Sequence, residues 1–189
     1  MCKITQPQLS LFTPAQMIAF DPKLSSEFTE SVERWFNKES TYERIAAFDP
    51  SVLSRLTCKK SVGFGLEALQ TPSARLLSLA RSVKCVSCSI EGNVVMAERQ
   101  MHADTDKVHY NVYHMSPSKM LMMTADHIFP ASFGGRDHQN NFQTMCSACN
   151  SKKGHVMSPA DIDAVRQNPS KYCKPWVREC YFDAVLDVQ

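Results

Sequence analysis

Four cysteines in two Cys-x2-Cys pairs place the strongest constraint on how this chain of 189 residues can fold. The first pair is Cys85 and Cys88, and the second pair is Cys146 and Cys149. Together they can supply four thiolates to one tetrahedral zinc ion, provided that the long segment between them folds back on itself. Because four thiolates fill the coordination shell, we predict a structural zinc ion with no open position for water.

Composition and hydropathy favour a cytoplasmic protein that has no membrane partner. The hydrophobic share of 43% is close to the globular average. No apolar run approaches the roughly 20 residues that span a bilayer. The first residues, Met-Cys-Lys-Ile-Thr-Gln-Pro-Gln, lack the apolar core of a signal peptide. In the cytoplasm thiols stay reduced, so the paired cysteines indicate metal binding rather than disulfides.

Basic residues cluster ahead of the first cysteine pair, although the formal net charge is only +2. Residues 52–86 contain six basic side chains against a single acid, Glu67. The six are Arg55, Lys59, Lys60, Arg75, Arg81 and Lys84. This block favours a polyanion as partner, and a solvated helix face explains it equally well.

The first 82 residues predict a helical unit, because helix start signals recur there. The signals are Thr13-Pro14, a capping box of Ser40 with Glu43 ahead of Ile45 and Phe48, Asp49-Pro50, and Thr71-Pro72. Two further helices are predicted near the other end of the sequence. One begins at Ser158-Pro159 and stops at Asn168-Pro169, and a short terminal helix begins at Pro175.

The pattern changes after Val83, where three segments have the composition of strands. They are residues 93–97, 108–113 and 120–124, with a turn over residues 116–119 and a polar loop over residues 102–106. We therefore predict an α+β protein in three parts. These are a helical accessory region at 1–82, a zinc-supported core at 83–155 and a helical tail at 156–189.

The end of the third strand carries the residues best suited to catalysis. Asp126-His127 closes the strand, and Gly134-Gly135 follows in a loop whose backbone we expect to be unusual. Asn141 precedes Phe142, and Asn150 directly follows the second cysteine pair. Carboxylate and amide oxygens suit Mg²⁺, and imidazole takes up protons near neutral pH. An amide side chain can also hold two backbone groups at once.

This ordered set resembles the HNH nucleases of the ββα-metal class, over roughly residues 83–155. The family pattern is Asp-His, a central Asn before an apolar residue, and His or Asn after the second cysteine of the lower pair. Here these positions are Asp126-His127, Asn141 and Asn150. Asn in the third position gives the HNN variant, which is also known in phage junction resolvases and RNA-guided nucleases.

The resemblance implies a role for each of these positions. Asp126 and Asn150 would bind a catalytic divalent ion, Mg²⁺ or Mn²⁺. His127 would be the general base, and Asn141 would brace the loop that aims it. The neighbouring Asn140 competes for that bracing role, and the following Phe142 favours Asn141. From their charge, we expect Arg136, Lys152 and Lys153 to neutralise phosphates of the nucleic acid, although Arg136 could instead pair with Asp137.

The activity implied is hydrolysis of DNA phosphodiesters, with double-stranded DNA as substrate and a 3′-hydroxyl and a 5′-phosphate as products. One such site cuts one strand, so a double-strand break needs a homodimer, a larger assembly or two events. The motif also points by analogy to a phage or mobile-element enzyme.

Two other functions fit part of the sequence. A non-catalytic zinc-ribbon module that binds nucleic acid or a protein partner would need the cysteines and the basic residues but not His127. An RNA-cutting enzyme would use the same catalytic set, although no aromatic-rich RNA-binding signature supports it.

Overall fold

A computed structural model describes residues 42–57, 73–100, 108–116 and 118–177, together with Leu186. The predicted helix at Thr13-Pro14, the loop over 102–106 and most of the predicted terminal helix lie outside these residues. The described residues combine helices with an antiparallel sheet, which confirms the α+β class. Contacts divide the chain into two compact units, residues 1–72 with 91–123, and residues 73–90 with 124–189. The three-part division by function stays a prediction.

The first unit is built on antiparallel strands that follow one another in chain order. They are β1 (Tyr42–Phe48), β2 (Val94–Gln100), β3 (Val108–Ser116) and the beginning of β4 (Lys119–His127). Val94 pairs with Tyr113, and Met115 pairs with Met120. The β2, β3 and β4 segments confirm the three predicted strands, and Ser116 pairs with Lys119 across the predicted turn. Buried Val94, Met96, Tyr113 and Met115 form one core cluster of this unit.

The capping box at Ser40 and Glu43 predicted a helix, and that prediction is wrong, because residues 42–48 form β1. β1 pairs with β2 along its length, with an irregularity between Arg44 and Ala46. Arg44 Nε also donates to Glu98 Oε1 at 3.3 Å, and Glu98 is buried. The sheet thus supplies backbone and side-chain partners that a local cap signal cannot match.

The other helix starts near the beginning of the described chain are placed by the structure. Asp49-Pro50 precedes helix α1 (Val52–Leu56), as predicted, and Ser51 N donates to Asp49 Oδ1 at 2.8 Å. Helix α2 (Ala74–Arg81) begins two residues after Thr71-Pro72, and Ser73 is its N-cap. Ser73 Oγ accepts from Leu76 N at 3.1 Å.

The second unit contains α2, the end of β4 and the elements that follow it. These are β5 (Phe142–Cys146), α3 (Ser147–Lys153), α4 (Pro159–Gln167) and α5 (Pro169–Tyr172). Two single turns of 3-10 helix, Ala131–Phe133 and Gln139–Asn141, lie in the loop between β4 and β5. β5 lies beside β4 in the sheet, and α3 follows β5 directly.

The predicted start and stop of α4 are both confirmed. Ser158 Oγ accepts from Asp161 N at 3.1 Å, and the helix ends before Asn168. Asn168-Pro169 does more than stop α4, because it also opens α5. The core beneath these helices contains Phe129, Met157, Val165, Tyr172, Cys173 and Leu186. None of the described helices is long and apolar enough to cross a membrane.

Candidate active site and metal centre

The two cysteine pairs meet in the second unit, as the predicted four-thiolate site requires. The four sulfur atoms of Cys85, Cys88, Cys146 and Cys149 all lie within 4.8 Å of one another. Cys88 Sγ and Cys146 Sγ are 3.8 Å apart. A tetrahedral site with Zn–S bonds of about 2.3 Å separates its sulfurs by about 3.8 Å. The donor set therefore fits a zinc ion bound by four thiolates.

The surroundings of the cluster shift the pKa values of two of its thiols in opposite directions. Burial raises the pKa of the Cys85 thiol, but backbone N–H groups of Cys146, Cys88 and Ser87 outweigh burial and lower the pKa to about 6. For Cys149, the Ser87 side chain lowers the pKa, but the Cys146 and Cys88 thiols raise it, to about 12. The sulfurs thus resist sharing negative charge, and a bound cation would balance that charge.

Two hydrogen bonds, one from the backbone and one from a side chain, hold the segment that carries the first cysteine pair against β5. Val86 N donates to Thr144 O at 2.9 Å, and Thr144 Oγ1 donates to Ser82 O at 2.7 Å. Ser89 closes the turn after Cys88 with a φ of 61°, in the left-handed region. Cys146 is the N-cap of α3, so the second pair opens that helix.

The loop after β4 depends on two glycines. Gly134 has a φ of 94°, which other residues rarely adopt. At Gly135 a Cβ atom would lie only 2.1 Å from Phe129 O, so a side chain has no space there. Gly135 N donates to Pro130 O at 2.9 Å, and Gly134 O accepts from Lys174 N. The expected unusual backbone is present at Gly134, and at Gly135 the close approach of the Phe129 carbonyl requires glycine.

Asn141 is fully buried and joins the two ends of this loop. Its Oδ1 accepts from Phe129 N at 2.8 Å, and its Nδ2 donates to Phe129 O at 3.0 Å and to Arg136 O at 3.1 Å. Its backbone carbonyl accepts from Ile128 N. Asn140 is only half-buried. The loop that follows His127 is therefore held from both sides by one amide.

His127 contacts an acid that the sequence did not single out for catalysis. His127 Nε2 and Asp137 Oδ1 are 2.9 Å apart, and Asp137 is mostly exposed. The His127 ring also packs against Phe142, with ring centroids 4.5 Å apart. Because a carboxylate can only accept, the Nε2 atom carries the hydrogen. In neutral imidazole the lone pair then lies on Nδ1, which becomes the basic atom.

Asp126 is buried and held by two donors from different elements. Gln143 Nε2 of β5 donates to Asp126 Oδ2 at 3.0 Å, and Lys153 Nζ of α3 lies 3.0 Å from the same oxygen. Lys153 Nζ also donates to His127 O at 3.2 Å. Both contacts of the Asp126 carboxylate within the described chain use Oδ2, so Oδ1 could bind a cation.

Asn150 lies on α3 one turn before Lys153, on the same face of the helix. Its Nδ2 donates to Thr124 Oγ1 at 3.0 Å, and Thr124 precedes Asp126 by two residues on β4. Residues two apart on a strand share a face. The α3 helix therefore lies along the β4 face that carries Thr124 and Asp126, and it brings Asn150 and Lys153 to the same side of the strand.

The three basic residues expected to contact phosphate have different surroundings. Lys152 is exposed on α3. Lys153 is mostly buried and is engaged by Asp126, as described above. Arg136 is half-buried, and its Nη1 donates to Ser170 O at 2.6 Å. Only Lys152 of the three presents its charge to solvent without a described partner.

Comparison with known proteins shows which family the strand, loop and helix that carry these residues resemble. Residues 116–163 match a family model described as HNH endonuclease. This segment is an HNH endonuclease domain. It includes Asp126, His127, Asn141 and Asn150, whereas Cys85 and Cys88 lie outside the match. No curated protein and no solved structure matches the chain.

An open groove borders the HNH domain inside the second unit, with a cavity volume of about 300 Å³. Its cationic lining comes from Arg81 of α2 and Lys171 of α5, both beyond the ends of the matched segment. Arg81 donates to Gln139 O, and Lys171 Nζ lies 4.9 Å from the centre of the Tyr172 ring. Gln143 lines the same groove and contacts Asp126, which connects the groove to the HNH site.

Three polar residues of the HNH site were not singled out from the sequence. Thr124 could have been found from strand periodicity, because it shares a face with Asp126 on the third predicted strand. Gln143 lies on β5, a strand that the sequence pattern did not predict, and its side chain donates to Asp126. Asp137 had no such signal, because its position depends on how the glycine loop folds back.

Proposed function

We propose that this chain is a metal-dependent endonuclease that hydrolyses DNA phosphodiester bonds, with His127 as the general base. The HNH domain suggests a nuclease and implies a nucleic-acid substrate. The observation that best supports this function is the placement of α3 along β4. It brings a buried carboxylate, Asp126, and an amide, Asn150, to one side of the strand that ends in His127.

The donor set at this position fits a hard divalent cation. Asp126 offers Oδ1, and Asn150 offers Oδ1 because its Nδ2 is directed at Thr124. One carboxylate and one amide carbonyl are typical of sites where Mg²⁺ or Mn²⁺ keeps several waters. Such an ion, when bound, would supply Lewis-acid stabilisation of a phosphate oxygen and of the departing oxygen.

In the proposed reaction, His127 takes up the proton that the attacking water loses. Water attacks phosphorus and loses its proton to His127 Nδ1, while the bond from phosphorus to the 3′-oxygen breaks. The departing 3′-oxygen takes a proton from solvent, which leaves a 3′-hydroxyl and a 5′-phosphate. Asp137 accepts a hydrogen bond from Nε2–H throughout and stabilises the imidazolium that forms. Asn141 holds the loop that carries Asp137 in place.

DNA binding is supported by the distribution of charge in the second unit. Lys152 is exposed on the helix that carries Asn150. Arg81 and Lys171 line the groove that Gln143 connects to the HNH site. We propose that these cations contact backbone phosphates, an interaction that does not depend on base sequence. Arg136 and Lys153 would act mainly inside the protein, through Ser170 O and Asp126.

The four cysteines would hold a structural zinc ion that fixes the start of α3, and with it Asn150. One site per chain would nick one strand of double-stranded DNA, so a double-strand cut would need a dimer or two events. By analogy with similar motifs, we propose a cytoplasmic, phage-type or mobile-element enzyme.

The test is cleavage of supercoiled plasmid by the purified full chain, with Mg²⁺, with Mn²⁺ and with a chelator. We expect metal-dependent nicking by the wild type and a loss of at least about a hundredfold in rate for His127→Ala. His109→Ala is the matched control, because His109 is an exposed histidine of the first unit. It should cut as the wild type does.

Two results would contradict the proposal. Cleavage that survives His127→Ala would exclude His127 as the base. A wild type that binds DNA without cutting it under any metal condition would favour the zinc-ribbon binding module. The same assay on labelled RNA of matched length would show whether DNA is the preferred substrate.

A further inference from the structure

We propose that Thr124 is a positioning residue that sets the orientation of the Asn150 amide and so determines which Asn150 atom meets the divalent cation. This inference rests on the proposed function of Asp126 and Asn150. Thr124 lies within the HNH match, but its hydroxyl has no assigned role in this chain.

A threonine hydroxyl has a single hydrogen to donate. Thr124 Oγ1 donates to Met145 O at 3.0 Å, and this bond uses that hydrogen. The backbone carbonyl of Met145 has no hydrogen to return, so the direction of the bond is fixed. Towards any other neighbour, Thr124 Oγ1 can act only as an acceptor.

The other neighbour is the side-chain amide of Asn150. The atom 3.0 Å from Thr124 Oγ1 is Nδ2, which is a donor. If the amide were rotated by half a turn, Oδ1 would face an oxygen that can no longer donate. Two acceptors in contact repel each other, so the rotated state is disfavoured. The hydroxyl therefore turns Nδ2 inward and leaves Oδ1 free to bind a cation.

An unconstrained asparagine would be a poor metal ligand. Its Nδ2 has no lone pair available for a cation. The orientation that turns Nδ2 towards the cation therefore does not bind it. Fixing the amide beforehand removes that competing state, and supporting partners of this kind change metal affinity by about tenfold or more. Thr124 lies on a strand rather than on a loop, so the constraint comes from a rigid element.

The test compares Thr124→Val with Thr124→Ser in the full-length, zinc-loaded protein. Valine keeps the branched shape of threonine and loses the hydroxyl, whereas serine keeps the hydroxyl. The probe is Mn²⁺, and its binding is measured without DNA by electron paramagnetic resonance of the free ion. We expect Thr124→Val to raise the Kd for Mn²⁺ by about tenfold, and Thr124→Ser to stay within about twofold of wild type.

Cleavage provides the second measurement. In Thr124→Val the Mn²⁺ concentration for half-maximal nicking should rise by the same factor as the Kd. The rate at saturating Mn²⁺ should approach that of the wild type, because the ligand is intact once it is oriented. A loss of rate that saturating metal does not recover would indicate general damage to the site and would overturn the proposal.

A double substitution separates orientation from folding. A carboxylate has two equivalent oxygens and needs no orienting partner. In an Asn150→Asp background, Thr124→Val should therefore no longer weaken Mn²⁺ binding, whereas a packing defect would persist there. Persistence of the full effect would overturn the proposal.

The outcomes also distinguish this inference from the proposed function. A wild type that binds Mn²⁺ and cuts, with Thr124→Val unchanged in Kd, would overturn only the role of Thr124. A Thr124→Ser variant as weak as Thr124→Val would do the same, because the hydroxyl would then not be the cause. A wild type that binds no Mn²⁺ would overturn both.

Discussion

At the scale of single residues, the site is organised by which atoms can donate a hydrogen and which can only accept one. Asp137 can only accept, so it fixes the hydrogen of His127 on Nε2 and leaves Nδ1 basic. Asn141 offers both kinds of atom, and it uses them on the N–H and the C=O of the same residue, Phe129. In both cases a polar partner determines what the neighbouring group can do.

The role of Asp137 can be tested by Asp137→Asn. Asparagine can still accept from His127 Nε2, but it lacks the charge that stabilises an imidazolium. We expect kcat for plasmid nicking to fall by about tenfold, less than for a buried acid, because Asp137 is 72% exposed on its side chain. KM for DNA should not rise, since an anion near the phosphates has been removed.

The control for Asp137→Asn is Asp163→Asn, which removes the same charge from an exposed position on α4. It should leave kcat unchanged. Equal effects of the two substitutions, measured in steady-state kinetics at one salt concentration, would assign the change to net charge and not to His127.

At the scale of elements, most local signals predicted the structure correctly, but the capping box at Ser40 and Glu43 did not. The three strands, the helix after Asp49-Pro50 and the start of α4 at Ser158 follow from alternation and capping. β1 was missed because its conformation depends on pairing with β2, which is distant in sequence. The same limit applied to the site. Asp126, His127 and Asn141 follow from the motif, but Asp137 depends on the folding of the glycine loop.

The loop between β4 and β5 should depend on Asn141 for its stability. Asn141→Ala would remove the side-chain partner of Phe129 N and Phe129 O, where the hydrogen bonds are buried, and of Arg136 O, where the bond is partly buried. Each such group costs about 1–3 kcal/mol when it is buried without a partner. We expect a loss of about 3 kcal/mol or more in the free energy of unfolding of the second unit, measured by hydrogen exchange of β5.

Asn140→Ala is the matched control for that experiment, because it removes the same amide from the half-buried neighbouring position. Its effect should stay within about 0.5 kcal/mol. If the two substitutions destabilised the unit equally, the bracing role would not belong to Asn141.

At the scale of the whole molecule, the chain passes between its two units more than once. Residues 73–90 belong to the second unit, although residues on both sides of them belong to the first. Within the second unit this segment is joined to β5 and α3 by the cysteine cluster and by two hydrogen bonds to Thr144. A zinc ion in the cluster would therefore connect pieces of the second unit that the chain itself connects only through the first.

Removal of zinc should accordingly affect the two units differently. We expect about one zinc ion per chain by elemental analysis. A strong chelator should abolish amide protection over residues 82–90 and α3. Protection of β2 and β3 should persist, because their core cluster of Val94, Met96, Tyr113 and Met115 lies in the first unit and contains no cysteine.

Cys173→Ser is the control for zinc content. Cys173 packs in the Phe129 core cluster, so its substitution should leave the zinc content unchanged. Simultaneous loss of protection in β2, β3 and α3 would instead show that the chain unfolds as one cooperative body. Full protection of residues 82–90 after zinc removal would show that the hydrogen bonds to Thr144 hold the segment without the ion.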